Sequence, residues 1–240
     1  MTGLRFWLFL TFVLVIWAAM HGYVFWRAAS VPWVANHVPR RYLVAAAVAL
    51  WCAYPVARIL EAAGWQGIAL PLESASACWI GILFLCLSAL VMVEVVTLGG
   101  AVLGKFVTTL RGLALIVAWI FAGIGLVQAQ RDPVLRDYEV ELAGLPASRD
   151  GLVLVQISDC HLGTLIGRKW LERLVDRVNL LRPDIIAIVG DLVDGNVGRV
   201  QPLQPVLQKL QAPLGVWAVT GNHEYYAGLD RSLKLLEQAG

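Results

Sequence analysis

Leu152-Val153-Leu154-Val155-Gln156-Ile157-Ser158-Asp159-Cys160-His161 is the stretch on which the fold turns. The run of leucine and β-branched residues reads as a strand buried on both faces. It gives way at once to a hydroxyl, a carboxylate, a thiol and an imidazole. The arrangement then recurs downstream. Over residues 168–181, Leu171, Leu174, Val175, Val178 and Leu181 follow the helical period, and Pro183 stops the run. Residues 185–189 form a second apolar strand that delivers Gly190 and Asp191, with Asp194, Gly195 and Asn196 in the next turn. Residues 200–210 are expected to form a helix. Residues 214–219 are expected to form a third strand that delivers Thr220, Gly221, Asn222, His223 and Glu224, and an amphipathic helix is expected from Asp230 onward. Strands alternating with helices predict a layered α/β domain, which gathers its ligand groups at the carboxyl ends of its strands.

Working outward, residues 138–142 alternate in the manner of an edge strand, and Pro146, Ser148, Asp150 and Gly151 read as a turn. Arg131, Asp132 and Pro133 combine charge with a helix breaker and mark the domain boundary, dividing a membrane part, residues 1–130, from residues 131–240. Upstream of it the solvent changes. The chain of 240 residues is 59% hydrophobic and only 15% charged, with a mean hydropathy of +0.70, and charge is scarce in its first half. Four uncharged stretches are long enough to cross a bilayer: between Arg5 and Arg27, between Arg41 and Arg58 with Pro55 inside, over residues 74–93, and over residues 112–130. A cleaved secretory signal accounts poorly for the first, because such an apolar region spans only about 7 to 15 residues. An α-helical transmembrane bundle followed by the first part of an α/β domain is the expected architecture.

Trp7, Trp26, Trp33, Trp51, Trp65 and Trp79 are expected near span ends as interfacial aromatics. Glu94 and His21, at the ends of their spans, are expected at headgroup level. Loops after the first and third spans carry Arg27, Arg40, Arg41, Lys105 and Arg111, and the opposite side carries Arg5, Arg58, Arg131 and Arg136. Five against four leans towards a multi-pass protein of the cell membrane whose soluble part is extracytoplasmic. A net charge of +2 without a basic stripe argues against nucleic acid as a partner. Cys52, Cys78, Cys86 and Cys160 form neither a disulfide framework nor a metal-binding pair by spacing, and Cys160 reads as a packing residue.

Asp159 and His161 are one residue apart, so in an extended segment both side chains point to one face and can share an ion. With Asp191 and the carbonyl oxygen of Asn222 they make a nitrogen and oxygen ligand set suited to Mn, Fe, Zn, Co or Mg. These residues stand as Asp159 to His161, Gly190 to Asp194 and Gly221 to Glu224. In that order and at those strand ends, the chain resembles the calcineurin-like metallophosphoesterase family, over roughly residues 150–240, and in particular its membrane-associated branch of YkuE-type and YaeI-type enzymes. The resemblance implies an αββα sandwich and two divalent metal ions. Asp159 and His161 would hold one ion, Asp191 would bridge both, Asn222 would bind the second, and His223 would face the phosphate as the catalytic acid. Two cations about 3.5 to 4 Å apart lower the pKa of a water and neutralise phosphoryl oxygens during in-line attack. Glu224 or Asp194 would orient His223.

A membrane-tethered phosphohydrolase follows, acting on a phosphoester or pyrophosphate that a bilayer surface or a lipid carries. The alternative is a non-catalytic membrane component or an inactive remnant. The family's pattern also includes a further His and a Gly-His-x-His, which residues 1–240 do not contain; a piece of a longer enzyme is therefore expected.

Overall fold

The computed structural model describes residues 3–239, so the expected domain end at Gly240 lies outside them. The chain divides into two compact units, Met1–Ala129 and Gln130–Gly240.

The first unit is helical. Helices α1 (Gly3–Ala28), α2 (Pro32–His37), α3 (Arg40–Ala62), α4 (Gln66–Thr97) and α5 (Val107–Ala129) follow one another. Four of them, α1, α3, α4 with the turn after it, and α5, are long and apolar enough to cross a membrane. They extend beyond the uncharged stretches because terminal arginines join the helices. Pro32 opens α2, where its missing N–H costs nothing. Leu98 at φ 50°, then Gly99 and Gly100, end α4 in left-handed conformations. Val24, Leu83, Cys86, Leu90 and Ala118 pack together inside the bundle, while Trp7, Phe12, Phe84 and Phe121 are exposed on surfaces that lipid would cover.

Polar bonds tie these helices, as bundles in hydrocarbon require. His21 is buried, its Nδ1 donating to the Trp17 carbonyl at 2.8 Å while Trp79 Nε1 donates to its Nε2 at 2.9 Å. Trp17 Nε1 reaches the Trp51 carbonyl at 3.3 Å. His21 is thus not a headgroup-level residue. Trp79 stands mid-way along α4 and Trp51 mid-way along α3, so neither belongs to an interfacial belt. Composition could not separate a tryptophan anchored by lipid headgroups from one anchored by a neighbouring helix.

The second unit holds a parallel sheet in the order β1 (Leu154–Ile157), β2 (Ile185–Val189), β3 (Val216–Val219). Register pairs Ile157 with Ile188 and Ile188 with Ala218. Helix α6 (Arg168–Leu180) links β1 to β2. The short helices α7 (Val197–Val200) and α8 (Gln204–Leu207) link β2 to β3, and α9 (Asn222–Ala239) follows. Four apolar helices followed by part of an α/β phosphohydrolase-type layer is the architecture the sequence predicts, with several local differences.

Burial on both faces does not hold. Ile186 and Ile188 are buried, whereas Ile185, Ala187 and Val189 between them are not, so the helices cover one face of the sheet. Residues 138–142 form no strand; they are exposed and no neighbouring strand offers them a ladder. The expected helix over 200–210 is broken into α7, a turn at Gln201–Leu203 and α8, since Pro202 and Pro205 remove two donors from any continuous ladder. Helix α9 starts at Asn222 rather than at Asp230. Gly228 at φ 105° interrupts it, and only the part beyond that kink keeps an amphipathic period. Leu162, Leu171, Val175, Ile186, Val193, Val200 and Val206 form the core beneath the strand ends.

Candidate metal centre

Three parallel strands end at the same edge of the sheet, and pairing continues past them. The Asp159 N–H donates to the Gly190 carbonyl at 3.3 Å, the His161 N–H to the Asp191 carbonyl at 3.0 Å, and the Leu162 N–H to the Leu192 carbonyl at 2.8 Å. Asp194 returns a bond from its N–H to the Leu162 carbonyl at 2.8 Å. The tips of β1 and β2 are therefore held at ladder spacing. The tip of β3 is joined to them through Glu224, which is fully buried. Its Oε2 accepts the N–H of Asp191 at 2.9 Å and of Gly221 at 2.7 Å, and its Oε1 accepts the N–H of Val193 at 2.9 Å. One carboxylate thus stitches two strand tips, and three buried donors are satisfied by it.

Glycines permit this closeness. Gly190 adopts φ +75°, and a Cβ there would stand 2.9 Å from both Cα and N of Gly221. A Cβ on Gly221 would meet the Asp191 nitrogen at 2.7 Å. Gly190→Ala is expected to destabilise the second unit by about 2 to 3 kcal/mol through strain and overlap combined, read from its denaturation midpoint; an unchanged midpoint would show that the tips are free to part.

Asp159 (φ 55°), His161 (φ 47°) and Asp191 (φ 51°) all occupy the left-handed region, unusual for residues other than glycine. The extended geometry expected for Asp159 and His161 is thus absent, yet their side chains still meet, with Oδ1 to Nε2 at 3.8 Å. Two successive backbone reversals, not strand alternation, aim them together. The Asp159 carboxylate accepts a hydrogen bond from the Ser158 hydroxyl.

Ligand atoms of Asp159, His161 and Asp191 lie within 4.8 Å of one another, and so do those of His161, Asp194 and His223. The two groups share His161. The His161 and His223 rings meet edge to face, centroids 4.4 Å apart. Asp191 Oδ1 accepts the backbone N–H of His223 at 2.9 Å, which sets the first turn of α9, and Asp194 Oδ1 lies 3.1 Å from His223 Nδ1. Asn222 is exposed at the first position of α9, between Gly221 and His223, whose N–H groups are tied to Glu224 and Asp191. All five residues singled out in the sequence are therefore gathered at one edge. Asp194, seen in the sequence as an orienting group, also stands among the ligand atoms. Cys160 points away and is 5% exposed. Burial, aided by the Asp159 carboxylate, pushes its thiol up to about 12, which leaves it protonated and unreactive.

Residues 152–238 match the model of the calcineurin-like phosphoesterase family. That segment belongs to this family. The chain is 43% identical over 129 residues to a transmembrane protein with metallophosphoesterase domain from Danio rerio, which covers 53% of this chain and 30% of that protein. It is 40% identical over 114 residues to the protein of the same name from Bos taurus, covering 48% and 26%. It is 31% identical over 91 residues to an uncharacterized metallophosphoesterase YkuE from Bacillus subtilis, covering 37% and 32%. The matches thus span about a third or less of these relatives. No solved structure matches the chain. Relatives named as transmembrane proteins and four apolar helices together mark a membrane protein. The carboxylates and imidazoles of the phosphoesterase segment fit the divalent metals that the family name implies, since they are oxygen and nitrogen donors at ligand spacing with no thiolate among them.

Proposed function

We propose that the chain is the membrane-anchored beginning of a metal-dependent phosphohydrolase that cleaves phosphoester or pyrophosphate bonds. Residues 1–130 would form its transmembrane domain and residues 131–240 the first part of its phosphoesterase domain. Asp159, His161, Asp191 and Asn222 would hold two divalent ions of the Mn, Fe, Zn, Co or Mg class, and His223 would serve catalysis. The observation that carries this reading is the pair of ligand groups that share His161 at one sheet edge.

A bound pair of divalent cations supplies Lewis acidity, lowering the pKa of an attacking water and neutralising phosphoryl oxygens. The protein's own groups do the rest. Asp194 accepts from His223 Nδ1, which leaves Nε2 to carry a proton to the departing oxygen. Asp191 holds the N–H of His223 and so sets where that ring stands. The left-handed Asp159 and His161 present their donors without rotamer search, because the backbone already aims them.

Substrates carried by a bilayer surface or a lipid suit this reading, because the phosphoesterase segment starts at residue 152, close in sequence to the end of α5 at Ala129. The loop charges support an extracytoplasmic site. The test is turnover of bis-p-nitrophenyl phosphate by the complete protein loaded with Mn, with chelation abolishing it and Mn restoring it. No metal retained and no turnover would sink the reading. Offered to intact cells, the same impermeant substrate reports the side of the membrane. His223→Ala is expected to lower kcat roughly 10²-fold, the usual scale for a proton-transfer group, with a smaller loss for esters of more acidic alcohols; an equal loss for all leaving groups would remove the acid role.

A further inference from the structure

We propose that one end of the helical bundle carries a binding site for the phosphate of an anionic phospholipid headgroup, built from Arg27, Arg111, Glu94 and Ser30. The inference is independent of the phosphoesterase reading. Arg27 lies in the last turn of α1, Glu94 one turn before the end of α4, and Arg111 near the start of α5, so all three stand at the same end. Arg111, buried, grips Glu94 through Nε at 2.7 Å and Nη2 at 3.2 Å, and its Nη1 donates to the Ser30 hydroxyl at 3.0 Å. Arg27 Nη2 reaches the same carboxylate at 3.2 Å.

Among the described residues, Glu94 is the carboxylate paired with either guanidinium, so two positive charges face one negative charge. A surplus charge inside an apolar bundle is costly unless a counter-ion meets it. Arg27 is where the surplus is felt: its Nε is buried and has no hydrogen-bond partner. A buried, charged donor left unpaired calls for an acceptor. The surroundings say what kind. The Arg27 guanidinium lies 4.1 Å from the centroid of the Trp26 ring, and Trp26 is exposed, as aromatics at headgroup level are. Ser30, by donating to the Arg27 carbonyl at 2.6 Å, already uses its proton and leaves nothing to repel an anion. A guanidinium fork at headgroup depth, with one charge in excess, matches a phosphodiester whose lipid carries net negative charge. Such a lipid would close the cluster and hold α1, α4 and α5 together.

The test uses the full chain in neutral detergent micelles, with retention of phosphatidylglycerol, phosphatidylcholine and inorganic phosphate measured by native mass spectrometry. Phosphatidylglycerol should be retained over phosphatidylcholine, and Arg27→Gln should weaken that preference roughly fivefold. Glu94→Gln, which removes the competing carboxylate, should strengthen it. Equal retention of the two lipids by the unaltered chain overturns the proposal, and so does a preference that survives Arg27→Gln. Displacement of the lipid by inorganic phosphate at equal concentration would assign the site to free phosphate and overturn its lipid source. Were the cluster only a clamp between helices, both variants would lower the melting temperature and leave the lipid preference untouched.

Discussion

Asp191→Ala in the complete protein is expected to lower phosphodiester turnover by roughly 10³-fold or more, since groups that act as a unit fail together. Its carboxylate stands in a ligand group with Asp159 and His161 and also accepts the N–H of His223 at 2.9 Å. Alanine removes a metal ligand and frees the first turn of α9 in one step. Asp191→Asn separates these roles: an amide oxygen still accepts the His223 N–H, but the charge that a divalent ion needs is gone. The asparagine variant should therefore keep the unit's stability and lose metal, measured as metal content after dialysis. Full turnover in the asparagine variant would mean that Asp191 only positions α9.

Glu224→Ala should do most of its damage to stability. Three backbone donors, at Asp191, Val193 and Gly221, lose their acceptor in a fully buried place. An unsatisfied buried donor costs about 1 to 3 kcal/mol, so a loss of roughly 3 to 5 kcal/mol is expected after local relaxation. Hydrogen exchange at those three amides is the direct readout, and it should quicken by roughly 10²-fold or more. Glu224→Gln keeps one acceptor oxygen and turns an NH2 group towards the remaining donors, so it should fall between alanine and the native residue. Exchange that stays slow at all three amides in Glu224→Ala would show that the tips hold without it.

Local patterns were informative where one physical cause dominates. The run at 185–189 is a strand because β-branched residues are uninterrupted there, and the structure places β2 on those same residues. Arg168–Leu180 shows its period because one face alone meets the core. The four apolar helices are legible because hydrocarbon length and charge exclusion leave few alternatives. Where two causes competed, the pattern misled. Residues 138–142 alternate as a strand does, yet a strand needs a partner, and alternation carries no information about one. Residues 200–210 hold apolar residues at helical spacing, but the two prolines outweigh that spacing.

At the site, the grouping of Asp159, His161, Asp191, Asn222 and His223 at strand ends was legible, because a parallel sheet delivers successive strand ends to one edge. The means of grouping was not. Left-handed backbone at Asp159, His161 and Asp191 is unfavourable for each residue alone and persists only because the neighbouring loop bonds hold it. Glu224 looked like a partner for His223; the fold sends its side chain inward instead, to three amides up to 33 residues away in sequence. His21 and Trp79, 58 residues apart, find each other only when α1 and α4 pack.

Composition, periodicity and the spacing of Asp, His and Asn thus sufficed for the apolar helices, the α/β alternation and the chemical character of the strand ends, since each depends on near neighbours along the chain. Which donors share an acceptor, which glycines let backbones touch, and which arginine is left with an unmet N–H emerged only on folding. Those properties depend on pairs of groups brought together across the sheet or the bundle, and no short-range pattern encodes the distance between them.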